Sequence, residues 1–235
     1  MLKTAARKGV VFDLFGTLVP KWDARLGDRV KAAMAQRLGL PVPDFLHAWT
    51  QTFWDRELGR NSIEGSLQRI ADLLSCRVEN SAIQEARAYW YELIKKSLHP
   101  RDPADIASLQ AIRQKGLKIG VISNCGPEVP SLFGRSPLAE LVDHVTLSSV
   151  VGIAKPDRRI YETHCTALGI DPLDSIYVGD GGNDELNGAT AVGFRAFLLR
   201  ISEEIEREGL PEHAEAWEGG VLFSLQQVHD VLDGA

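Results

Sequence analysis

The chain has 235 residues, which is enough for one large α/β domain or for a core domain with a smaller inserted one. Its 44% hydrophobic and 25% charged residues are ordinary globular values, and a net charge of -6 argues against electrostatic binding of nucleic acid. No apolar run approaches the length of a membrane span, and the N-terminus lacks the pattern of a secretory signal. The three cysteines are scattered and odd in number, and the six histidines lack zinc-ligand spacing. We therefore expect a cytoplasmic protein with free thiols and with no nucleic-acid or membrane partner.

The first predicted strand runs directly into a carboxylate. Val10, Val11 and Phe12 form a short apolar run that is typical of a buried central strand, and Asp13 follows them. Ligands of open α/β sheets bind beyond the carboxyl ends of the strands, which makes Asp13 a candidate site residue. Gly16 would let the chain turn sharply just past it. The same aspartate could simply cap a turn, and this stretch alone leaves both interpretations open.

Residues 20–100 carry helical patterns and no convincing strand. Ser62 is a predicted N-cap, and Ser81-x-x-Gln84 is a predicted capping box at the start of the last helix. Four of the five tryptophans lie here, and we expect most of them to fill a small helical core: Trp22, Trp49, Trp54 and Trp90. Four amphipathic stripes predict four helices, with these apolar positions: Leu26, Val30, Met34 and Leu38; Phe45, Trp49 and Phe53; Leu67, Ile70 and Leu74; Ile83, Ala86, Trp90 and Leu93. We predict an all-helical insert at 20–100, with 1–19 and 101–235 forming the core domain.

After this insert, helices and strands alternate. Asp102 as N-cap and Pro103 at the first helical position begin a helix that Gly116 ends. Further strands are predicted over residues 117–122, 142–147, 174–178, 194–199 and 221–223. Strands that alternate with helices predict a doubly wound parallel sheet, which is an α/β, Rossmann-like architecture.

Polar residues stand at the ends of several predicted strands. The second strand ends at Ser123 and Asn124, Lys155 follows the third, and the next ends at Asp180, with Asp184 four residues later. In a parallel sheet these ends share one edge with the carboxylate of the first strand. Two aspartates can hold Mg²⁺, an ammonium and a hydroxyl suit a phosphoryl or carboxylate group, and a carboxylate can act as a covalent nucleophile.

Four short motifs resemble those of the haloacid dehalogenase superfamily of hydrolases. In chain order they are Asp13-Leu14-Phe15-Gly16-Thr17, Ser123-Asn124, Lys155-Pro156, and Gly179-Asp180 with Asp184. The resemblance covers nearly the whole chain, and residues 20–100 match the helical cap that follows the first motif. Each motif is weak alone, but the four together on the expected elements are specific. We expect a small-molecule substrate and a monomer or homodimer.

The resemblance implies a nucleophile and a metal site. Asp13 would be the nucleophile. Together with the backbone carbonyl of Phe15 and with Asp180 it would hold Mg²⁺, and Asp184 would support the ion directly or through a neighbouring ligand.

The resemblance also implies roles for four other residues. Ser123 would hydrogen-bond the transferring group, with Asn124 nearby. Lys155 would neutralise charge on the nucleophile and the substrate. Thr17 would brace the first loop and help to position the reacting group.

Phe15 departs from the pattern of phosphatases in this superfamily. They usually carry a second aspartate there, which protonates the leaving oxygen and later activates water. Losing a general acid–base group typically costs ~10²–10⁴-fold in rate, and the cost should be smallest where the leaving group needs no proton.

Three functions are therefore compatible with this sequence. We favour a Mg²⁺-dependent phosphohydrolase acting on a small phosphorylated or activated-phosphate metabolite, because clustered carboxylates are best explained by a cation between them. A 2-haloacid dehalogenase would also suit Phe15, since halide leaves without protonation. Dehalogenases, however, are expected to carry a serine-like residue where this chain has Asp180. The third is a protein that binds a phosphorylated ligand with little turnover. We expect substrate specificity to lie in the insert, and four cations are available near or within it: Lys21, Arg25, Arg56 and Arg60.

Overall fold

A six-stranded, fully parallel sheet forms the centre of the molecule. The computed structural model describes residues 8–21 and 23–233, and the strand order in the sheet is β3-β2-β1-β4-β5-β6. The strands are β1 (Gly9–Phe12), β2 (Lys118–Ser123), β3 (His144–Leu147), β4 (Ile176–Gly179), β5 (Arg195–Leu199) and β6 (Gly220–Leu222). All six predicted strands are present, with ends shifted by up to two residues, and the predicted α/β class is confirmed.

The strand that leads to Asp13 lies in the middle of this sheet. Its residues are fully buried, and Val11 aligns with Gly120 of β2 on one side and with Tyr177 of β4 on the other. Alternate side chains of a strand point to opposite faces, so Val10 and Phe12 enter one apolar core and Val11 enters the other. A strand buried on both faces explains the unbroken apolar run in the sequence.

Five helices follow β1 before the chain returns to the sheet. They are α1 (Ala24–Arg37), α2 (Val42–Gln51), α3 (Phe53–Glu57), α4 (Ile63–Leu73) and α5 (Asn80–Ser97). All of them except α3 contribute residues to a continuous apolar core that they share with the Val10 face of the sheet. The segment is helical as predicted, whereas the domain boundaries at residues 20 and 100 stay predictions.

Two details of this helical segment differ from the sequence prediction. The stripe through Phe45, Trp49 and Phe53 is interrupted at Thr52, where the backbone leaves the helical region, so Phe53 starts a separate short helix and is exposed. The predicted capping box is wrong, because Glu79 is the N-cap of α5 and Ser81 already lies within its first turn. The Ser62 N-cap is confirmed: its side chain accepts a hydrogen bond of 3.0 Å from the backbone N–H of Gly65.

The remaining helices cover the two faces of the sheet. They are α6 (Pro103–Gln114), α7 (Val129–Phe133), α8 (Ser148–Val151), α9 (Arg158–Leu168), α10 (Glu185–Val192), α11 (Ser202–Glu208) and α12 (Val228–Asp233). Asp102 caps α6 through the backbone N–H groups of Ala104 and Asp105, as predicted. Within the described residues, no helix combines the length and the apolar character that crossing a membrane requires.

Candidate active site

The carboxyl ends of β1, β2 and β4 lie side by side and bring the predicted polar residues to one edge of the sheet. Asp13 follows β1 directly, is 6% exposed, and its backbone N–H donates a hydrogen bond of 2.9 Å to the carbonyl of Val178 in β4. Ser123 ends β2, is buried, and its hydroxyl lies 3.3 Å from the carbonyl of Asn124. The neighbouring strands therefore hold the nucleophile candidate and the serine at the same level of the sheet.

Lys155 reaches Asp13 from a separate loop. Its ammonium donates to Asp13 Oδ1 at 2.5 Å, and its side chain is 2% exposed. The loop is fixed by the side-chain amide of Asn124, which accepts from the Lys155 N–H at 2.8 Å and donates to the Lys155 carbonyl at 3.0 Å. Asn124 thus holds the lysine backbone in the position from which its ammonium can contact Asp13.

Three carboxylates converge beside this ammonium. One oxygen each of Asp13, Asp180 and Glu185, which we call the acidic cluster, lies within 4.8 Å of the other two. Glu185 is fully buried, contacts the Lys155 ammonium, and accepts hydrogen bonds from Tyr177 Oη at 2.7 Å and from the Gly181 N–H at 3.0 Å. The sequence prediction did not include Glu185, although it stands next to the predicted Asp184.

Asp184 itself lies outside the acidic cluster. Its carboxylate accepts a hydrogen bond of 2.7 Å from Asn187 and lies 3.9 Å from His213 Nδ1. Asn183 and Asp184 both have left-handed backbones (φ 53° and 54°), which is uncommon for residues other than glycine, and Glu185 then begins α10 with its side chain buried. Support of a metal ion by Asp184 therefore stays a prediction, and the structure adds Glu185 as an alternative ligand.

The loop after Asp13 is packed tightly against Asp180. Gly16 has φ +83°, and a Cβ atom at this position would lie 2.5 Å from Asp180 Oδ2. Only glycine permits both this backbone and this approach. Thr17 is fully buried, and within the described residues its hydroxyl has no hydrogen-bond partner. Its carbonyl accepts from the Arg101 guanidinium, which also donates to the carbonyl of Val19 at 3.1 Å.

Burial and mutual repulsion dominate the electrostatics of the cluster. Burial, together with the negative charge of Asp13, raises the pKa of Asp180 to about 6 and that of Glu185 to about 8. Burial alone would lower the pKa of Lys155, but the carboxylates of Asp13 and Glu185 outweigh it and raise that pKa, so the ammonium stays charged. Three carboxylates face one ammonium, and the site lacks positive charge.

The chemistry of this donor set fits a hard divalent cation. Mg²⁺ prefers carboxylate and carbonyl oxygens and keeps waters that a substrate can replace. Asp13, Asp180 and Glu185 offer carboxylate oxygens, and a divalent cation would favour the charged forms of Asp180 and Glu185, which burial otherwise disfavours. The Phe15 backbone carbonyl stays a predicted ligand.

A cavity of about 360 Å³ separates this edge of the sheet from the helical segment. Phe15, Asn124 and Asn183 line its core side. Its other walls are formed by residues of the helical segment and of the chain after β2: Lys31, Trp49, Thr50, Phe53, Arg56, Glu57, Trp90, Ile94, Cys125, Gly126, Glu128 and Val129. We call this cavity the cap pocket.

The structure decides which predicted cap residues face this pocket. Trp49 and Trp90 line it, whereas Trp54 is half exposed, and Trp22 lies outside the described residues. Of the four cations, Arg56 lines the pocket. The side chain of Arg60 is mostly exposed, Arg25 is exposed, and Lys21 Nζ donates to the carbonyl of Gly209 at 2.6 Å.

Comparison with known proteins gives a consistent family. A model of haloacid dehalogenase-like hydrolases matches residues 7–193. "Phosphatase MT3486" of Mycobacterium tuberculosis is 29% identical over 230 residues, covering 96% of this chain and 97% of its own length. A phosphoserine phosphatase of Thermus thermophilus is 28% identical over 200 residues, covering 83% of this chain and 71% of its own length. The (S)-2-haloacid dehalogenase of Pseudomonas sp. strain YL is 25% identical over 240 residues, covering 97% and 95%.

The family model spans most of the chain, including the strands that carry Asp13, Ser123 and Asp180 and the loop of Lys155. The parallel sheet, the polar residues at its carboxyl edge and this match agree with one another. The chain belongs to the haloacid dehalogenase-like hydrolases.

Proposed function

We propose that this hydrolase is a Mg²⁺-dependent phosphohydrolase that uses Asp13 as a covalent nucleophile on a small phosphorylated metabolite. One observation carries the proposal: the acidic cluster places three buried or largely buried carboxylates beside a single ammonium. A halide displacement needs no cation, so it gives no reason to retain Asp180 and Glu185 next to Asp13. The phosphatases among the relatives support the same choice.

In this mechanism, different residues of the chain have separate roles at the phosphoryl group. Lys155 holds one oxygen of Asp13 at 2.5 Å, which leaves the other oxygen to attack the phosphoryl group and form an aspartyl-phosphate. The hydroxyls of Ser123 and Thr17 would hydrogen-bond the transferring group, and water would then cleave the acyl phosphate. Asp13, the Phe15 carbonyl and Asp180 would hold Mg²⁺, with Asp184 or Glu185 in support. The ion would supply the positive charge that stabilises the transferring phosphoryl oxygens.

Phe15 limits the leaving group in this proposal. Its side chain lines the cap pocket and has no proton to give, so the departing oxygen must leave as a stabilised anion or take a proton from elsewhere. We therefore expect acyl phosphates and aryl phosphates to be better substrates than simple alkyl phosphates.

The test is hydrolysis of p-nitrophenyl phosphate in Mg²⁺ and in EDTA, by the wild type, by Asp13→Asn and by the exposed control Asp174→Asn. We expect Mg²⁺-dependent release in the wild type and the control, and none in Asp13→Asn. Equal release in EDTA, or retained release in Asp13→Asn, would contradict the proposal.

A second candidate is a 2-haloacid dehalogenase, which Phe15 specifically favours because halide leaves without a proton. The haloacid dehalogenase among the relatives supports keeping it. Chloride release from 2-chloropropionate in EDTA, without any release of nitrophenol, would establish it. Tight binding of inorganic phosphate with neither activity would indicate a binding protein. A cytoplasmic location and a monomeric or homodimeric state complete the proposal, and light scattering tests the latter.

A further inference from the structure

The cap pocket contains a buried carboxylate with one oxygen left without a partner. Glu128 is 2% exposed, and its Oε1 accepts a hydrogen bond of 2.9 Å from Trp90 Nε1. Within the described residues, Oε2 of Glu128 has no hydrogen-bond partner. A buried polar atom without a partner destabilises the folded state, and more so when it is charged. A ligand that donates a hydrogen bond to this unpaired oxygen in the pocket wall would therefore be favoured.

The backbone beneath this oxygen is shaped to leave it room. A Cβ atom on Gly126 would lie 2.5 Å from Glu128 Oε2 and 2.8 Å from Oε1. Gly126 and Glu128 both line the cap pocket, and the unpaired oxygen is buried within its wall. Glu128 thus belongs to a built site and not to a solvated surface.

A second carboxylate stands in the same pocket. Glu57 lines it, and burial together with the negative charge of Glu128 raises the pKa of Glu57 to about 7. Burial likewise raises the pKa of Glu128. The charge of Glu128 therefore disfavours the charged form of Glu57, and the positive charge of Arg56 opposes this effect only in part, because the pKa of Glu57 stays raised.

The cations of the pocket are already engaged. Arg56 is buried, with its guanidinium stacked 3.8 Å above the Trp49 ring, and it donates to the Trp49 carbonyl at 3.1 Å and to the Thr52 hydroxyl. Lys31 pairs with Asp28 at 2.6 Å. Among the described residues neither cation forms an ion pair within 4.0 Å with Glu57 or Glu128, although the charge of Arg56 lowers the pKa of both carboxylates from a greater distance.

We propose that the cap pocket recognises an ammonium group, held by Glu128 Oε2 and Glu57, at the end of the substrate remote from its phosphoryl group. The inference rests on the proposed phosphohydrolase function and names its substrate class as phosphomonoesters or acyl phosphates that carry a protonated amine. The indole ring of Trp90, which also lines the pocket, adds an aromatic surface that can attract a cation. Phe15 and Asn124 connect this end of the pocket to the edge of the sheet that carries Asp13.

The experiment compares matched ligands that differ in charge at one end. Aminoalkyl phosphates with two to six carbons are paired with alkyl phosphates of equal length, and the dissociation constant of each is measured by calorimetry in Mg²⁺. At the best length we expect the aminoalkyl phosphate to bind ~10–100-fold tighter than its neutral partner, the range of a charge-assisted hydrogen bond. A ratio near one at every length would overturn the proposal without any variant.

The variant Glu128→Gln tests whether Glu128 is responsible for the preference for the aminoalkyl phosphate. Its amide oxygen can keep the bond from Trp90, while its amide nitrogen presents a donor where the substrate ammonium needs an acceptor. We expect the amine-to-alkyl ratio to fall to about one in Glu128→Gln and to keep its wild-type value in Glu92→Gln, an exposed glutamate of α5. An unchanged ratio in Glu128→Gln would assign the preference elsewhere and refute this site.

Turnover of p-nitrophenyl phosphate, measured in parallel, distinguishes a failure of the proposed function from a failure of the proposed ammonium site. If the wild type releases no nitrophenol, the proposed function fails whatever the binding ratio is. If it releases nitrophenol but the amine gives no advantage, only the inference about the cap pocket fails.

Discussion

Asp180→Asn should stabilise the metal-free protein and at the same time abolish its response to magnesium. In the absence of a divalent cation, Asp180 adds a third carboxylate to a site with one ammonium. Asparagine keeps the side-chain oxygen that accepts the Gly182 N–H at 2.9 Å, so the variant removes charge with little change of shape. The same charge should be favourable once Mg²⁺ is bound.

The magnitude follows from the geometry of the cluster. Two unit charges 4.8 Å apart, the upper limit of the oxygen–oxygen distances in the cluster, repel by about 3 kcal/mol at an effective dielectric constant of 20. The attraction of Asp180 to Lys155 opposes part of this repulsion, which leaves a net gain of about 1–3 kcal/mol for Asp180→Asn in EDTA. For a chain of this size each kcal/mol shifts the melting temperature by about 2–4 °C, so we expect a rise of about 2–12 °C.

Thermal unfolding of both proteins in EDTA and in a magnesium titration measures the two effects. A ligand at 100 times its dissociation constant stabilises the folded state by about 2.7 kcal/mol, or about 5–10 °C here. The wild type and the exposed control Asp174→Asn should show this rise, and Asp180→Asn should not. Destabilisation of Asp180→Asn in EDTA, or a full magnesium response in it, would refute the charge argument.

Three further predictions address individual residues. Glu185→Gln should lose most of the magnesium-dependent rise in melting temperature while Asp184→Asn keeps it, because the Glu185 carboxylate lies in the acidic cluster and that of Asp184 does not. Phe15→Asp should raise kcat/KM for alkyl phosphates by ~10²-fold or more relative to p-nitrophenyl phosphate, because it restores a proton donor. His164 is fully buried, and burial lowers its pKa from 6.5 to about 3, so the unfolded chain binds the extra proton between these values and stability falls as pH drops below about 6.5. His164→Gln should remove about 1.4 kcal/mol of this loss per pH unit, as measured by urea unfolding at pH 5 and pH 7.5.

Each of these predictions has a contrary outcome. A magnesium response lost in Asp184→Asn but kept in Glu185→Gln would return the ligand role to Asp184. An unchanged leaving-group preference in Phe15→Asp would indicate that another group already supplies the proton. The same loss of stability in acid for His164→Gln and for the wild type would mean that His164 already takes up a proton in the folded state.

Much of the fold and the order of the site residues could be predicted from the sequence because their signals are local. The apolar run before Asp13 indicates a strand buried on both faces, and the polar residues after β1, β2 and β4 stand where parallel strands share an edge. The family match confirms the hydrolase class that the four motifs indicated. The roles assigned to Thr17, Ser123 and Asn124 stay predictions, although the structure adds that Asn124 positions the Lys155 loop.

Tertiary structure alone decided which of two adjacent acids enters the cluster. The sequence presents Asp184 and Glu185 side by side, and the left-handed turn before α10 directs Glu185 inward to Lys155 and Tyr177. Local sequence preferences do not predict which of the two side chains is buried, because both residues are acidic and the turn is set by packing. The capping box at Ser81 failed for a similar reason, since α5 begins at Asn80, one residue before the predicted cap.

The cap pocket has no local signature at all. More than thirty residues along the chain separate each of Glu57, Trp90 and Glu128 from the next. In the sequence alone, each of them is an ordinary helix or loop residue. Only packing of α3 and α5 against the chain after β2 brings them together and buries Glu128 with an oxygen unsatisfied. The sequence by itself determined the sheet and the chemistry at its edge, since both follow from periodicity and strand ends. The directions of buried side chains, and with them the residues that form the acidic cluster and the wall of the cap pocket, depend on contacts between distant segments and were decided by the tertiary structure.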